Sequence, residues 1–298
     1  MIWLTSIFFL AGWILSMAFG REKGSLVPMG AAFVFLLITL WLLRKRDQKN
    51  FIVALLLLPY GAIGGMLLPT ALQYLGLAAY PLSTYLPPGW VLSLYLLLMP
   101  AIIFPLSFLE NRPFFPFLFA LVAAPIGSGL AAFFGALEVL SPYYFPVLAI
   151  LFGCFLTIIF QIKKKLEKLA AHALDLDELN RPITVYFDGI CQVCAKELKY
   201  LQKRKQTGRV NYYSITTKEQ LEQDEKKITF EEAMKEINAI DDKGNVIKGV
   251  PVFYELYART DLPLLAVLIK APGLRPIVHV LYKIWASYRL AKRNRVKP

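Results

Sequence analysis

Cysteine and histidine are scarce in this chain of 298 residues, which has three of the first and two of the second. Three cysteines are too few to staple a disulfide scaffold, so the fold must rest on burial or on a membrane. Acidic residues are also few in the first half. Met1–Phe160 holds only Glu22, Asp47, Glu110 and Glu138, each at the end of an apolar run. An ionisable group within a run is the usual mark of a proton or ion pathway, and none is present. Nor do those runs hold a histidine or a cysteine pair that could hand electrons to a quinone. No recognisable nucleic-acid-binding motif occurs, so the net charge of +12 needs another explanation.

Apolar residues are abundant instead, at 57% of the chain with a mean hydropathy of +0.51. A soluble domain averages about 45–50%. The excess is lopsided: Met1–Phe160 carries seven Lys/Arg and four Asp/Glu, leaving 26 of the 33 bases and 17 of the 21 acids to the remainder. One half suits lipid and the other suits water. Bases gather at the ends of apolar runs and at the C-terminus, where membrane proteins use them for orientation and for contact with anionic lipid.

A helix needs about 20 apolar residues to cross the hydrocarbon layer. Six runs qualify: Ile2–Phe19, Leu26–Leu43, Phe51–Leu72, Trp90–Leu109, Phe115–Leu137 and Tyr144–Ile162. The first lacks the basic start of a signal peptide and is followed at once by the second, so it is expected to be retained. The loops Arg44–Lys49, Glu110–Pro113 and Lys163–Lys168 carry nine Lys/Arg, and the alternate loops carry two. By the positive-inside rule both termini are then cytoplasmic. Pro and Gly punctuate the third and fifth runs, in "LLPYGAIGGMLLP" and "AAPIGSG". Unwound helices lining a solute site and closely packed helices both fit such spacing. The segments "PPGWVLSLYLLLMPAIIFPLSFLENRP" and "APIGSGLAAFFGA" resemble an uncharacterised family of small bacterial inner-membrane proteins, which places the chain in that membrane.

Beyond the sixth run, "KKKLEKLAAHALDLDELN" reads as a helix and polar linker, ended by Pro182. "ITVYF" is strand-like, and "DGI" turns the chain into Cys191 and a helical run, Cys191–Lys205. A strand follows in "RVNYYSI", then a capped helix in "TFEEAMKEI" with Thr229 and Glu232 as the capping box. "INAIDDKGNVIKG" reads as two short strands about a turn, and "VPVFYELYAR" as a helix. A Cys-x-x-Cys between the first strand and first helix is the thioredoxin-like arrangement. The helix N-terminus offers unsatisfied amides and a positive dipole end that stabilise a thiolate. Cys191 would attack and Cys194, within the same turn, would resolve.

Alternatives stay open on the residues alone. The pair could be half of a zinc site, but only Cys154, His172, His279 and carboxylates remain as ligands, and neither histidine has ligand spacing to the pair. The domain could also be a degenerate module kept for structure or partner binding. Cys154, alone in an apolar run, reads as a small core residue. Asp188 is either a carboxylate that tunes the thiols and moves protons or the first residue of an Asx turn.

"YFDGICQVCAKELKYL", "DDKGNVIKG" and the tail "APGLRPIVHVLYKIWASYRLAKRN" resemble the DCC family of predicted thiol–disulfide oxidoreductases, named for Asp-x-x-Cys-x-x-Cys. The signature falls on Asp188, Cys191 and Cys194, and the resemblance runs from Arg181 to Arg293. It implies exchange chemistry with no external cofactor and no metal, a protein thiol or disulfide as substrate, and an upstream reductant. Thioredoxins also carry a cis-proline ahead of their third strand. None lies between Pro182 and Pro251, and Pro251 sits at an expected helix start, so that docking element is missing. The tail is amphipathic, with Ile277, Leu281, Ile284 and Tyr288 on one face and Lys283, Arg289 and Lys292 elsewhere. It is expected to close the core, with contact to anionic lipid as the alternative.

The expected architecture is an α-helical polytopic membrane domain of about six transmembrane helices (1–162), a cytoplasmic helical linker (163–180) and a C-terminal α/β thioredoxin-like domain (181–298). Its partners are membrane lipid, the substrate and the reductant, not nucleic acid.

Overall fold

In the computed structural model, which describes residues 2–19, 26–81, 86–217 and 228–295, each of the six apolar runs forms a helix. These are α1 (Ile2–Phe19), α2 (Leu26–Arg46), α3 (Gln48–Tyr74), α4 (Gly89–Ile103), α5 (Phe115–Phe133) and α6 (Tyr144–Ala173). The chain divides into two compact units, Met1–Lys164 and Lys165–Pro298. Among the described residues α3, α5 and α6 are long and apolar enough to cross a membrane by themselves. A fourth candidate, Pro263–Lys270 with Leu274–Ala291, reaches that length only as a pair bent by 92°.

Several limits differ from expectation. The expected loop Arg44–Lys49 is almost wholly helical, because Asp47 accepts the Asn50 amide at 3.0 Å and caps α3 directly behind α2. α4 stops at Ile103 instead of Leu109, where Pro105 removes an amide and biases Phe104 away from helix. A 3₁₀ turn, Ser107–Asn111, takes over. Cys154 is exposed on α6 and is no core residue. An outward position in an apolar helix needs only an apolar neighbourhood, so hydropathy could not place it.

α3 runs unbroken through Pro59, Gly61, Gly64, Gly65 and Pro69, and α5 through Pro125 and Gly127. The glycines serve close packing. A Cβ at Gly61 would lie 2.7 Å from Met99 Cγ and 2.9 Å from the Tyr95 carbonyl on α4, and one at Gly64 would overlap the Phe155 ring on α6. α4 packs against α1, α2 and α3. Two ties hold the rest. A short strand, β1 (Ala78–Ala79), pairs antiparallel with β2 (Glu138–Val139), joining the connection after α3 to that after α5. Away from it, the buried Lys163 on α6 pairs with Glu110, whose carbonyl also accepts from Lys164 at 3.1 Å.

The second unit holds α7 (Leu176–Leu179), β3 (Ile183–Asp188), α8 (Gln192–Lys203), β4 (Val210–Ile215), α9 (Phe230–Lys235), β5 (Asn238–Ile240), β6 (Val246–Lys248), α10 (Val250–Ala258), α11 (Pro263–Lys270) and α12 (Leu274–Arg295). The sheet order is β4-β3-β5-β6; β3 runs parallel to β4 and antiparallel to β5, and β6 is antiparallel to β5. β3 is central, and alternate residues feed two cores as a period of two requires. Ile183 and Val185 pack with Leu198 and Leu201 of α8 and Val252 and Leu256 of α10. Tyr186 packs on the other face with Ile215 and with Ala233 and Met234 of α9. The Thr229–Glu232 capping box forms, and Asp241 accepts from Lys243 and Asn245 to close the β5–β6 turn. Pro251 lies in the first turn of α10, behind Gly249 at φ +67°.

Gly61→Val is expected to destabilise the first unit by about 1–3 kcal/mol through overpacking against the Tyr95 backbone. Thermal unfolding in detergent would read this as a lowered midpoint, and an unchanged midpoint would refute the close-packing role.

Candidate active site

The site begins where β3 ends. Asp188 is buried, and its carboxylate accepts the Ile190 amide at 3.0 Å while its carbonyl accepts the Cys191 amide at 3.3 Å. Asp188 therefore forms the Asx turn that redirects the chain from strand to helix. Gly189 follows, and a Cβ there would lie 2.1 Å from Ser214 Oγ at the end of β4, so a larger residue would require the serine to turn away. The turn delivers Cys191 to the N-cap of α8, where its sulfur accepts the Cys194 amide at 3.3 Å. A sulfur thus occupies the place usually filled by a Ser or Asp oxygen, at the positive end of a helix of 12 residues. The sulfur thereby takes up one of the orphan amides of the first helical turn. Cys191 and Cys194 are both free thiols, on one turn of one helix.

Cys194 is deeper. Burial pushes its thiol up to about 12; its contact with Cys191 acts in the same direction, and the Arg289 guanidinium opposes both. Arg289 arrives from α12. One terminal nitrogen, Nη1, donates to Cys194 Sγ at 2.9 Å, and Nη2 donates to the carbonyls of Met234 at 2.7 Å and Lys235 at 3.1 Å. Those carbonyls close the last turn of α9, where acceptors lack intrahelical donors. The guanidinium is therefore held at one side by backbone and offers charge to sulfur at the other. Trp285, one turn earlier, lies under it at 5.4 Å from ring centre to guanidinium carbon. Tyr282 continues that line, accepting the Ile237 amide at 3.1 Å just ahead of β5.

The structure brings Cys191, Cys194 and Asp188 together at one strand–helix junction. Sequence reading missed Arg289, which it assigned to the polar face of the tail. The signal was there in the spacing, since Tyr282, Trp285 and Arg289 recur at helical intervals and share a face. As for zinc, the neighbour of Cys194 is a cation, which disfavours a dication at the same sulfur. Among the described residues no group of three or more potential metal ligands converges. His172 is engaged elsewhere, with Tyr254 Oη at 2.9 Å and Glu178 at 3.3 Å.

Two family models match the chain. One, described as DCC1-like thiol-disulfide oxidoreductase, covers residues 185–295. The other, described as a protein of unknown function, DUF2878, covers residues 2–158. The chain is also 30% identical over 117 residues to an uncharacterized chloroplastic protein of Arabidopsis thaliana, covering 39% of this chain and 55% of that one. It thus spans about half the length of that relative. No solved structure matches.

Arg289→Met should raise the Cys194 pKa further and slow closure of the Cys191–Cys194 disulfide about tenfold at neutral pH. Arg289→Lys should recover part of the rate. Stopped-flow closure from a Cys191 mixed disulfide, followed against pH, would show the profile moving to higher pH. An unmoved profile would make the arginine purely structural.

Proposed function

We propose that this chain, which belongs to the DUF2878 family and ends in a DCC1-like thiol-disulfide oxidoreductase domain, is a membrane-tethered thiol–disulfide oxidoreductase working through Cys191 and Cys194. The observation that carries the reading is the placement of Cys191 at the α8 N-cap with Cys194 one turn on beside Arg289. Cys191 thiolate attacks one sulfur of a substrate disulfide, which forms a mixed disulfide and releases the other substrate sulfur as a thiolate that takes up a proton. Cys194, deprotonating beside Arg289, then attacks Cys191 Sγ and expels the second substrate thiol. Two electrons pass to the substrate and the pair becomes a disulfide. An upstream dithiol reductant must restore it. Asp188 orients the turn, and its carboxylate, three residues before Cys191, is the one we assign to moving protons during exchange.

The order β4-β3-β5-β6, with the dithiol between the first strand and first helix of the sheet, supports a thioredoxin-like fold. β5 is preceded by Ile237 and not by proline, so substrate docking departs from that of thioredoxins. Six spans are supported by the six apolar helices, of which α1, α2 and α4 would cross as part of the packed group. Lys163 is occupied by Glu110, yet eight of the nine Lys/Arg counted for the cytoplasmic side remain. That charge bias supports cytoplasmic termini and a cytoplasmic dithiol in a bacterial inner membrane. In that compartment the resting pair is reduced.

A second reading has support in the first unit. An apolar cavity of about 380 Å³ lies among α1, α3, α4, α5 and α6, lined by Trp13, Trp90, Tyr95 and Tyr144 among others. Such a space fits a lipid- or solute-handling protein whose DCC-like domain is a redox sensor or docking module.

In a Cys154→Ala background, Cys194→Ala is expected to accumulate mixed disulfides with substrate proteins, and Cys191→Ser to abolish them and the cellular effect together. A cellular effect that survives Cys191→Ser would favour the docking module. An impermeant maleimide should label the pair only after permeabilisation; labelling in intact cells would invert the topology.

A further inference from the structure

α12 has three faces. Tyr282, Ala286 and Arg289 turn inward to the aromatic cluster and the dithiol. A second face is apolar and uncovered: Ile277, Val280, Leu281, Ile284 and Tyr288 are each 55–66% exposed. They follow one another at intervals of three, one, three and four residues, a continuous stripe on a helix. His279 and Lys283 are exposed between these two faces, with Arg275 exposed in the first turn. The sequence from Pro263 to Pro298 carries eight Lys/Arg and no Asp or Glu. A soluble surface rarely leaves so long a stripe bare without a partner.

Charge selects the partner. Two copies of a wholly basic helix would repel along a shared stripe, whereas anionic lipid headgroups complement it. Lysine and arginine at the rim can bury their stems and keep their charges among headgroups. The bend of 92° before α12 excludes a straight crossing and suits a helix lying in the interface plane. A membrane is also within reach wherever the helices of the first unit are inserted. We propose that α12 docks by its Ile277–Tyr288 stripe onto an anionic bilayer surface, an inference that rests on the membrane-tethered reading above. Because Arg289 belongs to the same helix, the bilayer then holds from outside the helix that carries the charge beside Cys194.

The test uses the full chain with Cys154→Ala, Cys191→Ser and Cys194→Ser, reconstituted in vesicles of phosphatidylcholine alone or with about a third phosphatidylglycerol. A fluorophore is attached at Ile284→Cys, at Tyr200→Cys on α8 as an outward control, and at Leu67→Cys on α3 as a marker of insertion. Lipids carrying a nitroxide on the acyl chain act as quenchers. Quenching at Ile284→Cys should be at least about threefold stronger in anionic than in neutral vesicles, and should weaken with added salt. Leu281→Cys on the same stripe should behave alike, and Tyr200→Cys should stay unquenched. Quenching at Leu67→Cys without quenching at Ile284→Cys overturns the docking alone. Absence at both overturns the tether as well. Equal quenching in the two lipids, or protection that depends on protein concentration, removes the anionic bilayer as the partner.

Discussion

The Arg289 guanidinium is the contact that joins α9 and α12 to the cysteine pair. It is fixed by two carbonyls at the end of α9 and faces the sulfur of Cys194. Without it, Cys194 would be a buried thiol with little reason to ionise, because burial is the largest influence on it and acts in the wrong direction. The two thiols are placed unequally: Cys191 sits at the N-cap of α8, and Cys194 lies one turn on with the guanidinium against its sulfur. The proposed division into attack and resolution rests on that difference in position.

Much of this was legible in the sequence, and the pattern of what was not is physical. Elements set by short-range chemistry came through: the Thr229 capping box, the Asp241 turn, the strand Ile183–Asp188 and the Cys191 helix start each depend on residues within a few positions. Helix limits set by proline were less certain. Pro59 and Pro69 sit within an unbroken α3 and Pro100 within α4, while Pro105 follows the end of α4 at Ile103, so a proline by itself does not say whether a packed helix stops. The spacing of Tyr282, Trp285 and Arg289 marks a shared face, but the partners of Arg289 lie 54, 55 and 95 residues away, so the sequence does not say what that face meets.

Asp188 shows how a signature residue can be required for shape. Its carboxylate is engaged with the Ile190 amide, and Gly189 leaves room for the Ser214 hydroxyl at the end of β4. Asp and Gly therefore act jointly to place Cys191 at the N-cap, whatever else the carboxylate does during turnover.

The two ties of the membrane unit act at different ends and by different forces. Backbone pairing of Ala78–Ala79 with Glu138–Val139 is indifferent to charge, and Lys163 with Glu110 is held by charge in a buried setting. α5 lies in sequence between these anchor points, so it cannot drift sideways from its neighbours without breaking one of them. In a fluid bilayer, where no hydrophobic force holds helices side by side, such end-to-end lacing turns loose rods into a single raft.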